Sequence, residues 1–331
     1  MPKINDVALA AGVSTATVSR VLNNSKTVNA ELADRVRVAA HQLGYRPNGI
    51  ARSLRRRSSD VIALIINDVS NPFFTAITRG VEDVAQRSGY SVLLCNTDED
   101  PGKEATYLRV AEQQQVAGVI LSPNTATSDV SRLFNAQVPL VVIDRTLNEP
   151  VDSVMVHSLN GAEAATQHLL ASGWKRPACV AGPREASTAS DRLHGFLEAV
   201  RQHGNLEELY EYAPFTQEGG ANAAKALLDL PTPPDSLFVA NSQMALGVLD
   251  EVRRRGLRIG YDIGIITFDD APWAPFISPP MSVVAQPAYE VGRRAAELLM
   301  ERVISGTPLE PREVTLSTTL ILRESSKRLP A

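Results

Sequence analysis

Ile4-Asn-Asp-Val-Ala-Leu-Ala-Ala-Gly12-Val-Ser14-Thr-Ala-Thr-Val-Ser-Arg20-Val-Leu-Asn23 is the stretch on which the reading of this chain turns. Ile4, Val7, Ala8 and Ala11 recur at i, i+3, i+4 and i+7, a single apolar stripe on a helix. Gly12 supplies the left-handed backbone that ends it, and Ser14 caps a second helix over residues 15–23. Val18, Val21 and Leu22 share one face of that helix, while Thr15, Ala16, Ser19, Arg20 and Asn23 share the other. A third helix opens after Asn29, buries Leu32, Val36, Ala39, Ala40 and Leu43, and closes at Gly44. Three short helices with small residues at the turn make a helix-turn-helix unit, whose second motif helix can lie in a DNA major groove.

Charge points the same way. Residues 1–59 hold ten Lys/Arg and three Asp/Glu, a charge of +7, which leaves −11 on the remainder of a chain whose net charge is −4. A basic end on an acidic body suits a molecule of which only one part seeks a polyanion. Arg20 can donate a bidentate pair to guanine or clamp a phosphate. Ser14, Thr17 and Ser19 offer hydroxyls to phosphate oxygens or base edges, and Thr15 and Ala16 are small enough to meet a thymine methyl.

Working outward, Tyr45-Arg-Pro-Asn48-Gly-Ile-Ala51-Arg52-Ser53-Leu54-Arg-Arg-Arg57 follows. Pro47 breaks the chain after the third helix, and Asn48 can cap a new helix of about two turns, which is too short to be stable alone in water. Leu54 is apolar in an Arg/Ser-rich stretch. It is either a wedge that opens a base step from the minor groove or merely a linker leucine.

Residues 4–23, Gly44-Tyr-Arg-Pro-Asn48 and Ala51-Arg-Ser-Leu54 together closely resemble the lac repressor/galactose repressor family of bacterial regulators. The resemblance is ungapped through the headpiece and hinge. It implies that Thr15, Ala16 and Arg20 read bases and that Leu54 is the minor-groove wedge. The expected DNA-contacting set is therefore Ser14, Thr15, Ala16, Thr17, Ser19, Arg20, Asn23, Asn48, Ala51, Arg52, Ser53 and Leu54.

From residue 60 onward, apolar runs alternate with amphipathic segments. The strand runs lie at 61–66, 91–95, 116–121, 139–143, 178–181, 237–240, 263–268 and 282–286, with helices at 74–88, 103–115, 161–172, 192–203, 219–230, 244–255 and 290–304. This alternation indicates an α/β body of two doubly wound parallel-sheet lobes, with ligands beyond the carboxyl ends of the strands. It agrees with the hinged, periplasmic-binding-protein-like lobes that the resemblance implies. The expected organisation is a headpiece over 1–46, a hinge over 47–59, a two-lobed body over 60–324 and a tail over 325–331. Within the body, the first lobe takes about 60–158 and 288–316, and the second about 159–287 and 317–324. The segment 314–322 is expected to cross between them.

Polar residues just past the strands are the candidate ligand contacts. Asp144 and Arg145 follow one strand, Asn241 and Ser242 another, Asp269 and Asp270 a third, and Gln286 ends a fourth. Arg192 is expected to open a helix. Carboxylates, an amide and an arginine beside the aromatics Phe73, Phe238 and Trp273 suit a polyhydroxylated ligand. The resemblance carries over Phe73, Asp144, Arg192, Asn241, Asp269 and Gln286 one by one. The chain departs from the family at Ser242, where an aspartate is usual, and at Gly173-Trp174-Lys175-Arg176, where Gly-His-Arg is usual.

No Gly-x-Ser-x-Gly elbow, Gly-rich phosphate loop or His-Glu-x-x-His occurs, and the five histidines lack metal-ligand spacing, so neither an enzyme nor a metal or cofactor is expected. Asp98-Glu99-Asp100 before Pro101-Gly102 is expected to be a solvated loop. Cys95 and Cys179 lie in apolar runs as buried thiols. With no apolar run after Met1 and no run long enough to span a membrane, a cytoplasmic protein is expected. The tail lacks leucine heptads, which favours a homodimer over a larger assembly. The resulting expectation is a regulator, in the sense of a repressor, of carbohydrate-use genes that binds operator DNA under control of a sugar-like effector. A purine or nucleoside effector and a sugar-transport protein are the alternatives.

Overall fold

The computed structural model describes residues 2–22, 28–45, 59–204, 206–305 and 310–329. The chain divides into two units, Met1–Ser59 and Asp60–Ala331. The first contains α1 (Ile4–Ala11), α2 (Thr15–Leu22) and α3 (Ala30–Gln42). Gly12 takes the left-handed conformation at φ 60° and returns its amide to α1, as the turn requires. The Ser14 hydroxyl accepts from the Thr17 amide at 3.1 Å, and Asn29 caps α3 by accepting from the Glu31 amide at 2.8 Å.

The headpiece core is small, built from Val7, Ala8, Ala11, Val18, Val21, Val36, Ala39 and Ala40. A guanidinium strengthens it, for Arg35 donates to the carbonyl of Ala11 at 2.6 Å. Leu43 departs from expectation. It lies past the end of α3, exposed, while Tyr45 folds back onto the core after Gly44 turns the chain, and Leu32 is only half-buried.

The second unit contains two six-stranded sheets. The first combines β1 (Val61–Ile66), β2 (Ser91–Asn96), β3 (Gly118–Leu121), β4 (Leu140–Ile143), β5 (Asp152–Val156) and β11 (Glu313–Leu316) in the order β11-β5-β4-β3-β1-β2. The second combines β6 (Pro177–Ala181), β7 (Leu209–Tyr212), β8 (Ser236–Val239), β9 (Gly264–Phe268), β10 (Ser282–Ala285) and β12 (Thr319–Ile321) in the order β12-β10-β9-β8-β6-β7. The two orders correspond strand for strand. All neighbouring strands are parallel except β10 and β12. Strand β5, next to the edge of its sheet, and the edge strand β7, with their short polar-apolar patterns, were not legible as strands. The single segment expected over 314–322 is two strands, one in each sheet.

The helices are α4 (Pro72–Arg87), α5 (Pro101–Gln113), α6 (Ser131–Asn135), α7 (Ser158–Ala171), α8 (Ser187–His203), α9 (Gln217–Leu228), α10 (Ser242–Arg254) and α11 (Ala288–Ser305). They cover both faces of each sheet, and each sheet has an apolar core on either side. The helix expected to open at Arg192 begins five residues earlier, so Arg192 lies inside α8. Among the described residues no helix is long and apolar enough to cross a membrane.

Residues 325 and 326, expected to open a tail, pack into the body. Ser325 and Ser326 are fully buried, and the Trp174 indole donates to the Ser326 carbonyl at 2.8 Å. Trp174 fills the space over Gly264, where a Cβ would lie 2.4 Å from the indole. Its place in the Gly173-Trp174-Lys175-Arg176 departure is thus structural.

Helices α4 and α11 cross where side chains are absent: a Cβ on Gly292 would lie 2.1 Å from the Ile77 carbonyl oxygen. Gly292→Ala is therefore expected to push the two helices apart and destabilise the body by about 1–3 kcal/mol. Denaturant unfolding of the variant checks this, and an unchanged midpoint would mean that the crossing can yield without cost.

Candidate functional site

A cavity of about 230 Å³ lies between the two lobes, at the carboxyl ends of the parallel strands. Its shape follows from how those strands end. Asp144 succeeds β4 and Asp269 succeeds β9, and both take positive φ, 64° and 75°. Aspartate tolerates this conformation better than most residues. Each remains tied to its own sheet, since the Asp144 amide donates to Val154 at 3.3 Å and the Asp269 amide to Val284 at 2.9 Å. The turn thus aims the two carboxylates into the cleft from corresponding places in the two lobes.

Arg192 reaches the cavity from α8. One arm of its guanidinium donates to the Ala240 carbonyl at 2.8 Å, and its plane lies 3.9 Å from the Phe268 ring centre. Burial lowers its pKa, opposed by Asp269 and Asp144. Burial also pushes both carboxyls up, against the pull of Arg145 and Arg192 on Asp144 and of Arg192 and Gln286 on Asp269. Gln286 donates to Asp269 at 2.6 Å, and the Ser242 backbone also hydrogen-bonds it. Ser242 itself is buried at the start of α10, so a main-chain group supports Asp269 where the family's usual aspartate is missing.

Two asparagines serve structure with one atom while lining the site. Asn71 accepts from the Phe73 amide at 3.0 Å to cap α4, and Asn241 accepts from the Met244 amide at 2.8 Å to cap α10. Their amide nitrogens remain for other partners. Phe73 and Phe74 complete the first-lobe wall, and Thr188, Phe215 and Thr216 come from the second lobe.

Several polar atoms here are buried without a hydrogen-bond partner among the described residues, including Arg192 Nε, Gln286 Oε1 and Arg145 Nε, which has the Asp144 carboxylate 3.8 Å away. Such atoms are costly unless something completes them.

The expected set therefore meets in part. Phe73, Asp144, Arg192, Asn241, Asp269 and Gln286 line one cavity. Phe238 does not, because it is fully buried in the second-lobe core between Phe196 and Phe268. Trp273 packs half-buried on the opposite core of that lobe, away from the cavity wall. Phe215, on the loop after β7, supplies the aromatic instead, its ring centre 5.7 Å from the Arg145 guanidinium. The Asp98-Glu99-Asp100 loop is more than solvated: Asp98 and Glu99 line the cavity, and Glu99 takes both arms of the buried Arg145 at 2.7 and 2.5 Å.

The lobes also touch directly. Gln243 donates to the Ser70 carbonyl at 3.2 Å, and the Thr146 amide donates to the Ser187 hydroxyl at 3.1 Å.

In the headpiece Ser14, Thr15, Ala16 and Arg20 are exposed, with Thr17 and Ser19 half-buried beside them. The expected contacts Asn23, Asn48, Ala51, Arg52, Ser53 and Leu54 lie outside the described residues.

Comparison with known proteins gives this arrangement a family. Residues 3–48 match the model for bacterial regulatory proteins of the lacI family, and residues 166–326 match a periplasmic binding protein-like domain. The chain is 38% identical over 328 residues to the ribose operon repressor of Bacillus subtilis (strain 168), covering 99% of each chain. It superposes with a TM-score of 0.87 on the lac repressor dimer bound to operator and the anti-inducer ONPF, at 25% identity over 98% of this chain and 99% of that one. A regulator from Enterococcus faecium with bound ribose gives a TM-score of 0.73 at 27% identity, over 82% of this chain and 100% of that one. The chain belongs to the lacI family of bacterial regulatory proteins.

Proposed function

We propose that this regulator is a repressor whose headpiece binds operator DNA as a homodimer in the cytoplasm, and whose interlobe cavity holds a small sugar-like effector. The observation that carries the effector reading is that Asp144, Arg192, Asn241, Asp269 and Gln286 converge from both lobes on one cavity. A hydroxyl can both donate to a carboxylate and accept from a guanidinium or amide N–H, so each hydroxyl of a polyol finds a partner in such a set. Asp144 and Asp269 add acceptors from opposite walls, and the rings of Phe73 and Phe215 offer faces for sugar C–H groups. A cavity of about 230 Å³ lies below the range typical of drug-sized ligands, which favours a single sugar ring. The sugar named for the Enterococcus faecium structure and the operon named for the Bacillus subtilis relative agree with that class.

Control of DNA binding follows from where the ligand sits. Its contacts lie on both lobes, so occupancy favours whichever lobe arrangement brings the two walls together. The Gln243–Ser70 and Thr146–Ser187 contacts belong to that arrangement. In the headpiece, the exposed face with Thr15, Ala16 and Arg20 is the surface for base edges, and Ser14, Thr17 and Ser19 are placed for phosphates and groove walls. The hinge stretch through Leu54 completes the proposed DNA-contacting set.

A thermal-shift screen against monosaccharides and nucleosides, followed by operator-release measurements with each hit, tests the function directly. A response to nucleosides alone would replace the sugar, and the absence of salt-sensitive operator binding would remove the whole reading. Asp269→Asn is expected to weaken the effector by about 10–100-fold, equivalent to roughly 1.5–3 kcal/mol for a charged hydrogen bond. Basal operator affinity should stay the same, and an unchanged effector titration would move the site elsewhere. Because burial raises the Asp144 and Asp269 carboxyls, protonation reaches them at a higher pH than usual and removes acceptors. Effector affinity should thus fall as pH is lowered from neutral, and a flat calorimetric profile would show that neither carboxylate meets the ligand. Arg20→Ala is expected to cost about 1–3 kcal/mol at a single operator position, and a uniform loss across sequences would assign it to phosphate.

A further inference from the structure

Glu99 stands on a turn that bends twice against the ordinary chirality of the chain. Both Asp98 (φ 51°) and Glu99 (φ 58°) occupy the left-handed region, and neither is glycine. Such a turn persists only where its surroundings hold it. Here Asn96 donates to the Asp98 carboxylate at 2.6 Å, the Lys103 ammonium pairs with the same carboxylate, and Asp100 caps α5 through the Gly102 amide at 2.7 Å. The anchored turn presents Glu99 to the cavity wall, where its two oxygens fill the fork of Arg145.

A guanidinium fork is the group best shaped to grip a phosphate or carboxylate in two places. Arg145 lines the cavity, and its side chain is only 4% exposed, but its two-armed edge is occupied by a carboxylate of the same chain that keeps 36% exposure. The other guanidinium, Arg192, is flanked by Asp144 and Asp269 and spends one arm on the Ala240 carbonyl. The cavity is lined by five carboxylates, from Asp68, Asp98, Glu99, Asp144 and Asp269, against two guanidinium groups.

We infer that Glu99 is a charge filter: by filling the Arg145 fork it confines the cavity to uncharged sugars and turns away their phosphate esters. This rests on the effector reading given above and narrows it to a ligand class. An arriving phosphate would have to expel Glu99 from Arg145 and then lie beside the carboxylate it had displaced. A neutral sugar needs neither change. Glu99 is a specificity-determining residue whose effect is exerted through Arg145.

The test uses the full chain and its Glu99→Gln and Glu99→Ala variants, titrated calorimetrically with D-ribose, D-ribose 5-phosphate and inorganic phosphate at fixed ionic strength. The wild type should bind neither phosphate compound measurably. Both variants should gain at least roughly tenfold in affinity for the phosphate ester and for inorganic phosphate, as a freed bidentate arginine implies. Their affinity for the neutral sugar should change much less. Wild-type protein that binds the ester as tightly as the sugar overturns the filter. So do variants that keep the wild-type melting temperature yet gain no phosphate affinity. Should one variant fail to fold, the other decides. If no form binds the neutral sugar, the ribose-sized effector is lost, while the inorganic phosphate titration still decides whether Glu99 guards Arg145.

Discussion

Three buried charges govern the body of this protein: Asp144 from one lobe, with Arg192 and Asp269 from the other. Removing them from water costs free energy that their mutual attraction recovers only in good geometry. The left-handed turns after β4 and β9 bring the two carboxylates to one cleft, as parallel strands ending on the same side of each sheet allow, yet burial still outweighs attraction at all three groups. Attraction between Asp144 and Arg192 acts across the seam between the lobes. The same groups that would recognise a polyhydroxylated ligand therefore also influence how closely the lobes approach. Recognition and closure share one set of atoms.

Much of this was legible in the sequence because it rests on local rules. The apolar stripe through Val7, Ala8 and Ala11, the Gly12 turn and the Ser14 and Asn29 caps need only neighbouring residues. Strand ends were legible too, since an acidic or amide residue after an apolar run marks where a buried strand meets water. Phe238 shows where such reasoning stops. In a strand covered on both faces every position is apolar, so no alternation tells which side chains look toward the cleft. The stack with Phe196 on α8 decided it. Glu99 was misread for the opposite reason: an acidic run before Pro-Gly has the composition of a solvated loop, and its partner Arg145 lies 46 residues away. Leu43 gave way to Tyr45 because the left-handed turn at Gly44 brings the later residue back over the core.

Family membership and charge distribution fit together. The basic charge is concentrated in the first 59 residues, which form a unit with a core of their own, while the acidic body carries a cleft rich in carboxylates. An acidic surface has no attraction for DNA, so the body does not compete with the headpiece for the polyanion. One chain can thus treat two kinds of ligand by opposite electrostatics. The substitution at Ser242 is compatible with this economy, since the main chain supports Asp269 there.

The order of strands has a consequence for how the molecule is made. The first lobe receives α11 and β11 only after the second lobe's sheet has been almost entirely synthesised, and the second receives β12 later still. A nascent chain leaving the ribosome must therefore keep the apolar floor under β3, β4 and β5 uncovered until α11 emerges. Translation that stops before that point leaves both halves unfinished, so a shortened product would be a substrate for chaperones and proteases and not an independent sensor lobe.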